Sequence, residues 1–193
     1  MSGWTAIVPL KAEGARKTRL SGHLSEIARE ELSETLFRHV IRTLRRCPSV
    51  ARIVSLSDGA PPISGLEWIC DSGRGLNAEL QDVIDVIRAD HDAARLLILH
   101  ADLPLLEVVD VEALARAASG GLAIAPDRAG DGTNALALGA DRPFTLCFGP
   151  QSFARHRAQA PYAAIITGRP GLALDVDTPA DLRAAVALGF LER

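Results

Sequence analysis

A chain of 193 residues with 48% hydrophobic and 23% charged side chains carries enough apolar material for one sizeable core. Its formal net charge of −3 offers no global attraction to nucleic acid or an acidic membrane surface, and no apolar stretch approaches membrane-spanning length. Three widely spaced cysteines (Cys47, Cys70, Cys147) lack metal-ligand spacing, and no basic leader precedes an apolar region, so a cytoplasmic protein with reduced thiols is expected.

Short apolar runs alternate with helical patterns, which predicts an α/β fold: one domain over residues 1–193, a mostly parallel central sheet and helices on both faces. The first run, Thr5–Leu10, predicts a strand and opens onto a basic stretch with Lys11, Arg16, Lys17 and Arg19. Clustered cations repel one another unless an anion joins them, and a polyphosphate suits that need. A helix follows, with Leu24, Ala28, Leu32, Leu36, Val40 and Leu44 recurring every fourth residue, and Phe37 and Ile41 widening the stripe.

Strands are expected at Arg52–Leu56 and Leu66–Cys70, then a G-x-G turn in "DSGRGLNAELQD". Gly73 and Gly75 allow close backbone approach, Asn77 has a base- or ribose-reading amide, and Leu76, Leu80, Val83, Ile84 and Ile87 mark the next helix. The run Arg95–Ala101 is apolar enough for a central strand covered on both faces. Asp102 ends it, Pro104 turns the chain away, and the next helix is expected near Val108.

Further strands are expected at Leu122–Ala125, Ala135–Leu138 and Leu172–Val176. Before the second of these, "GDGTNAL" presents Thr133 and Asn134; after it, "FGPQSFARH" places Gly149 and Ser152 at a helix start. Hydroxyls and free N–H groups in such places suit a small anion. His156 receives no role. In an extended run Asp175 and Asp177 face the same side, and their repulsion calls for a cation. With Asp102 they make a hard oxygen set suited to Mg²⁺, while no His/Cys cluster suggests zinc. The closing helix has Thr178 as N-cap, Pro179 at its first position, Asp181 in its first turn and Gly189 as terminator.

The segments "VPLK", "KTRL", "GLNAEL", "ADLPLL", "PDRAGDGTNAL", "FGPQSFARH" and "LDVDTPADL" occur in one order from Val8 to Leu182. In this set the chain resembles the CofC/FbiD guanylyltransferases of deazaflavin coenzyme F-420 biosynthesis. The resemblance implies the nucleotidyltransferase (GT-A-like, Rossmann-like) version of the α/β fold. It also implies transfer of GMP from GTP to a small phosphorylated acid with release of pyrophosphate. The acceptor is phosphoenolpyruvate in many bacterial members, and 2-phospho-L-lactate or 3-phospho-D-glycerate in others. By the same resemblance Asp102, Asp175 and Asp177 would hold Mg²⁺, and Thr133, Gly149 and Ser152 the acceptor. Leu10, Lys11, Lys17 and Arg19 would line the triphosphate, with Gly75, Leu76 and Asn77 near the nucleoside. Lys11, Lys17, Arg19 and Asp102 would be the catalytic set, in a protein whose relatives suggest a homodimer.

A phosphate acceptor is ionised at neutral pH, so a convincing general base is not required. The competing readings are a nucleotidyltransferase loading molybdopterin or a sugar phosphate, a glycosyltransferase using the D-x-D carboxylates, and a nucleotide-binding regulator without turnover.

Overall fold

The computed structural model describes residues 3–10, 17–90, 94–140 and 144–190. Lys11 and Arg16 of the basic stretch lie outside these residues. Seven strands form one sheet: β1 (Trp4–Pro9), β2 (Val50–Ser57), β3 (Glu67–Cys70), β4 (Arg95–Leu99), β5 (Leu122–Pro126), β6 (Thr133–Leu138) and β7 (Ala164–Ile165), in the order β3-β2-β1-β4-β6-β5-β7. Only β6 runs against its neighbours; the β1–β2, β1–β4, β2–β3 and β5–β7 pairings are parallel.

Among the described residues six α-helices accompany them, the last two beyond β7: α1 (Glu26–Arg45), α2 (Leu76–Asp90), α3 (Val108–Ala117), α4 (Ser152–Gln159), α5 (Pro170–Ala173) and α6 (Pro179–Ala187). The four-residue stripe of α1 buries Leu36, Phe37, Val40, Ile41 and Leu44; Phe37, Val40, Ile41 and Leu44 pack with α3 on one face of the sheet. Leu80, Val83, Ile84 and Ile87 of α2 pack on the other face against Ile7, Val54, Leu96 and Ile98. Both faces are thus covered, as the continuous apolarity of β4 requires. Among the described residues, no helix is long and apolar enough to cross a membrane.

The predicted strand at Leu172–Val176 does not form. Residues Pro170–Ala173 make the short helix α5, and the chain beyond it is extended but outside the sheet. The sheet edge at this end is the two-residue β7, which the apolar reading passed over because so short a run carries no period. The side-chain alternation still holds, for another reason. Leu174 and Val176 are buried in a third apolar cluster with Leu20, Leu36, Ala185 and Phe190. Burying such side chains contributes roughly 1.5–3 kcal/mol each. With Leu174 and Val176 facing that cluster, Asp175 and Asp177 face the opposite way.

The α6 boundary matches its sequence signals. Thr178 accepts a bond from the Asp181 N–H at 3.3 Å, and Asp181 reaches back to the Thr178 N–H at 2.8 Å. Gly189 follows the helix at φ 86°, a conformation that favours glycine.

Candidate functional site

The chain moves outward from β1 to β2 and β3, then crosses back to place β4 on the other side of β1. The crevice beyond the carboxyl ends of β1 and β4 is therefore a topological switch point, where open α/β sheets receive ligands. A cleft of about 570 Å³ lies there, lined by Leu10, Lys17, Arg19, Leu76, Asp102, Thr133, Gly149, Ser152, Asp175 and Asp177 among others. With Asn134, eleven of the residues singled out from sequence thus share one cavity.

Thr133 and Asn134 reach it from the amino end of a strand. Because β6 runs antiparallel to β4, Ala135 pairs with Leu99 and the His100 N–H donates to the Asn134 carbonyl at 3.0 Å. The start of β6 therefore lies beside Asp102 at the end of β4. Sequence order alone does not disclose this inversion.

One wall is acidic. Carboxylate oxygens of Asp102, Asp175 and Asp177 all lie within 4.8 Å of one another. The Val176 N–H donates to the Asp102 carbonyl at 3.1 Å, which ties the two segments together. Asn134, whose importance sequence reasoning understated, donates its amide to the Leu172 and Ala173 carbonyls and to Asp175 Oδ1, at 3.1, 3.1 and 3.2 Å. It fixes the end of α5 and the carboxylate two residues beyond.

The basic residues meet this wall directly. Lys17 Nζ lies 2.5 Å from Asp102 Oδ2 and 3.8 Å from Asp177 Oδ1, and Arg19 donates to Asp177 Oδ2 at 3.2 Å. Lys17 holds φ 51°, a left-handed conformation costly for a side chain with a Cβ. Leu20, fully buried in the third cluster, anchors the 3-10 turn that follows. The lysine ammonium thus already neutralises carboxylates that would otherwise repel.

Burial pushes the Asp175 carboxyl from its ordinary 3.8 up to about 6, and the charges of Asp102 and then Asp177 add to this against the opposing Asn134 bond. The raised value favours the folded state when Asp175 is protonated. That contribution is full below about pH 3.8 and lost as pH rises through about 6. Asp175→Asn is accordingly expected to raise the stability of the metal-free protein at pH 8. At 1.36 kcal/mol per unit, the gain is roughly 2–3 kcal/mol. It should fade as pH drops below 4; urea melts in chelator at pH 8 and pH 4 check this, and no gain at pH 8 overturns it.

The opposite wall carries hydroxyls. Thr133 and Ser152 are buried, and Gly149 turns at φ 114° between them. The helix start is not a row of free donors, as its sequence suggested. The Ser152 N–H donates to the Gly149 carbonyl at 3.1 Å, the Phe153 N–H to the Asp131 carbonyl at 3.1 Å and the Gln151 N–H to Asp131 Oδ2 at 3.2 Å. Asp131 caps α4 from a loop twenty residues away in sequence. That loop is held in turn by Asp127, which accepts from the Asp131 and Gly132 N–H groups at 3.0 and 2.8 Å.

Of the three residues that the resemblance places near a nucleoside, Leu76 lines the cleft, whereas Gly75 and Asn77 are not among its lining residues. Both amide atoms of Asn77 bond the Phe148 backbone: Nδ2 donates to its carbonyl at 3.0 Å and Oδ1 accepts its N–H at 2.7 Å. In this structure Asn77 joins the start of α2 to the Phe148–Gly149 turn. Gly75 sits at φ 98° with open space where a Cβ would be.

The family profile described as "Guanylyl transferase CofC like" matches residues 4–189. A phosphoenolpyruvate guanylyltransferase of Streptomyces coelicolor is 34% identical, over 96% of this chain and 91% of its own length. Another from Rubrobacter xylanophilus is 35% identical, over 97% and 95%. Among solved structures, a candidate nucleotide-diphospho-sugar transferase from Desulfovibrio desulfuricans G20 superposes with a TM-score of 0.71. It covers 95% of this chain and 86% of its own, at 17% identity, and so bears on the fold alone.

Proposed function

The chain belongs to the CofC-like guanylyltransferase family, and from that premise we propose that it transfers GMP from GTP to the phosphate of a small phosphorylated acid, foremost phosphoenolpyruvate, with release of pyrophosphate. The place of this reaction is F-420 biosynthesis. One observation carries the reading: a single cleft has clustered carboxylates and cations on one wall and buried hydroxyls on the other. That polarity suits a triphosphate facing a small anionic acceptor.

Asp102, Asp175 and Asp177 fit a divalent cation, since three carboxylates converge and already draw in the Lys17 ammonium. Mg²⁺ held there supplies positive charge to the polyphosphate and polarises the reacting phosphoryl group. Were a cation held there, Lys17 and Arg19 would be free to pair with the phosphates of GTP. Leu10 and Leu76 bound the nucleotide side of the cleft, which Gly75 and Asn77 support from the α2 start. By the family resemblance Lys11, the next residue in sequence after Leu10, would join the same cationic group.

Thr133, Ser152 and the turn at Gly149 hold the acceptor. An acceptor phosphate oxygen attacks the α-phosphorus of GTP, forming one P–O bond while the bond to the β-phosphate bridging oxygen breaks. Both reactants are anions, so the protein's contribution is charge neutralisation and alignment rather than a covalent nucleophile.

The test is purified protein with Mg²⁺ and GTP, supplied in turn with phosphoenolpyruvate, 2-phospho-L-lactate and 3-phospho-D-glycerate. Products are resolved by mass and pyrophosphate is followed directly. Acceptor-dependent pyrophosphate release with a GMP-linked product, most rapid for phosphoenolpyruvate, is expected. GTP binding without turnover on any acceptor would make the chain a nucleotide-binding protein instead.

A further inference from the structure

We infer that His156 is a positioning residue that locks the Thr133 hydroxyl as a hydrogen-bond donor into the cleft, so that the acceptor subsite admits an anionic oxygen there and disfavours a donor group. The inference rests on the reading above that Thr133 meets the acceptor. It adds a residue one helical turn beyond Ser152 that does not line the cleft.

The argument is one of proton counting. His156 is fully buried on α4 and bonds on both ring nitrogens. The Cys147 backbone N–H donates to Nε2 at 2.8 Å, and a backbone N–H can do nothing else. Nε2 must therefore be unprotonated, and in the neutral ring the single proton resides on Nδ1. Nδ1 lies 3.0 Å from Thr133 Oγ1, so the ring donates and the hydroxyl oxygen accepts. The hydroxyl proton of Thr133 then has to point elsewhere. Among the described residues no second partner takes it, and Thr133 lines the cleft.

The surroundings keep the ring neutral. Phe144 and Phe148 pack on it, with centroids 5.3 and 5.2 Å away, and Phe148 is shared with His100 at 5.3 Å. Burial, with lesser repulsion from Arg155 and His100, pulls the imidazole from its ordinary 6.5 down to about 4. A charged ring would also break the Cys147 bond, because it has no acceptor nitrogen. The chain from the Cys147 N–H through imidazole to Thr133 is thus polarised in one direction. A threonine free to rotate would serve a donor or an acceptor equally; this one serves an acceptor.

Two measurements test the inference. Long-range ¹⁵N–¹H correlation spectra of the labelled wild-type protein should show His156 as the Nδ1–H tautomer, unchanged from pH 8 to pH 6. An Nε2–H tautomer or an imidazolium in that range overturns it. In kinetics, His156→Gln keeps an acceptor for the Cys147 N–H but removes the donor to Thr133, whereas His156→Asn keeps a donor amide near the Nδ1 position.

The Gln variant should raise the acceptor KM about tenfold with the GTP KM little changed, and the Asn variant should recover part of this. Thr133→Val combined with His156→Gln should cost no more than Thr133→Val alone. Equal, additive losses in KM for both substrates, tracking the melting temperature, would make His156 a core residue only. Failure of the wild-type enzyme to turn over any phosphorylated acid would instead overturn the proposed function, while the tautomer measurement would still stand.

Discussion

Asp102→Asn is expected to lower turnover with GTP by about two to three orders of magnitude, the scale on which a preorganised electrostatic contact to a reacting group acts. The amide keeps the side chain's shape and loses its charge. The backbone role survives, since it is the Asp102 carbonyl that accepts the Val176 N–H at 3.1 Å. The fold should therefore persist, with far-ultraviolet circular dichroism unchanged. Lys17 loses the charge of its 2.5 Å partner in the variant but retains Asp177 at 3.8 Å, which limits the loss of stability. Asp177→Asn should give a comparable fall in turnover, with Arg19 losing its partner as well. Kinetics at limiting Mg²⁺ decide the matter: near-normal rates in either variant would remove that residue from the metal site.

Lys17→Ala is expected to cut turnover with GTP by about a hundredfold or more, because in the proposed reaction the ammonium would offset charge that moves onto the departing pyrophosphate. Lys17→Arg should recover only part, since a planar fork does not replace a compact ammonium. A second effect accompanies the first. The Lys17 side chain is only 8% exposed and pairs with Asp102, so its removal leaves Asp102 without that cation while Asp177 keeps Arg19 at 3.2 Å. The metal-free variant should lose about 1–3 kcal/mol, less than a fully buried pair because Asp102 retains some contact with water. Added Mg²⁺ should restore most of that loss. Melting curves with chelator and with Mg²⁺, beside steady-state kinetics, check both parts. Unchanged kinetics would mean that Lys17 does not act on the triphosphate.

A loop position with basic neighbours predicts a solvated lysine whose loss is felt only in function. Packing alters that expectation. Leu20 is drawn into the apolar cluster with Leu174 and Val176, and Lys17 is thereby carried against the acids. Charge pattern gave the attraction, but the distance between residues 17, 102 and 177 is a product of tertiary packing.

Periodicity determined the two main layers. The stripes through Phe37, Val40 and Leu44 and through Leu80, Val83 and Ile87 face opposite sides of the sheet because a helix can bury only one stripe and β4 is apolar on both faces. Local chemistry determined the α6 boundary, since Thr178, Pro179 and Asp181 satisfy its first turn among themselves. Order and spacing determined the ingredients of the cleft. Only the tertiary structure decided how they meet. The antiparallel insertion of β6 brings Thr133 and Asn134 beside Asp102, and strand direction is a property of pairing partners that no local pattern encodes. The extended acidic segment after α5 is aligned by Asn134 and by burial of Leu174 and Val176 rather than by a sheet. The donors at the α4 start are occupied by Asp131, and the Asn77 amide by Phe148, both through hydrogen bonds that close long loops. His156 showed least of all in sequence: its part follows from two bonds whose partners, Cys147 and Thr133, converge only when α4 packs onto the sheet beside β5.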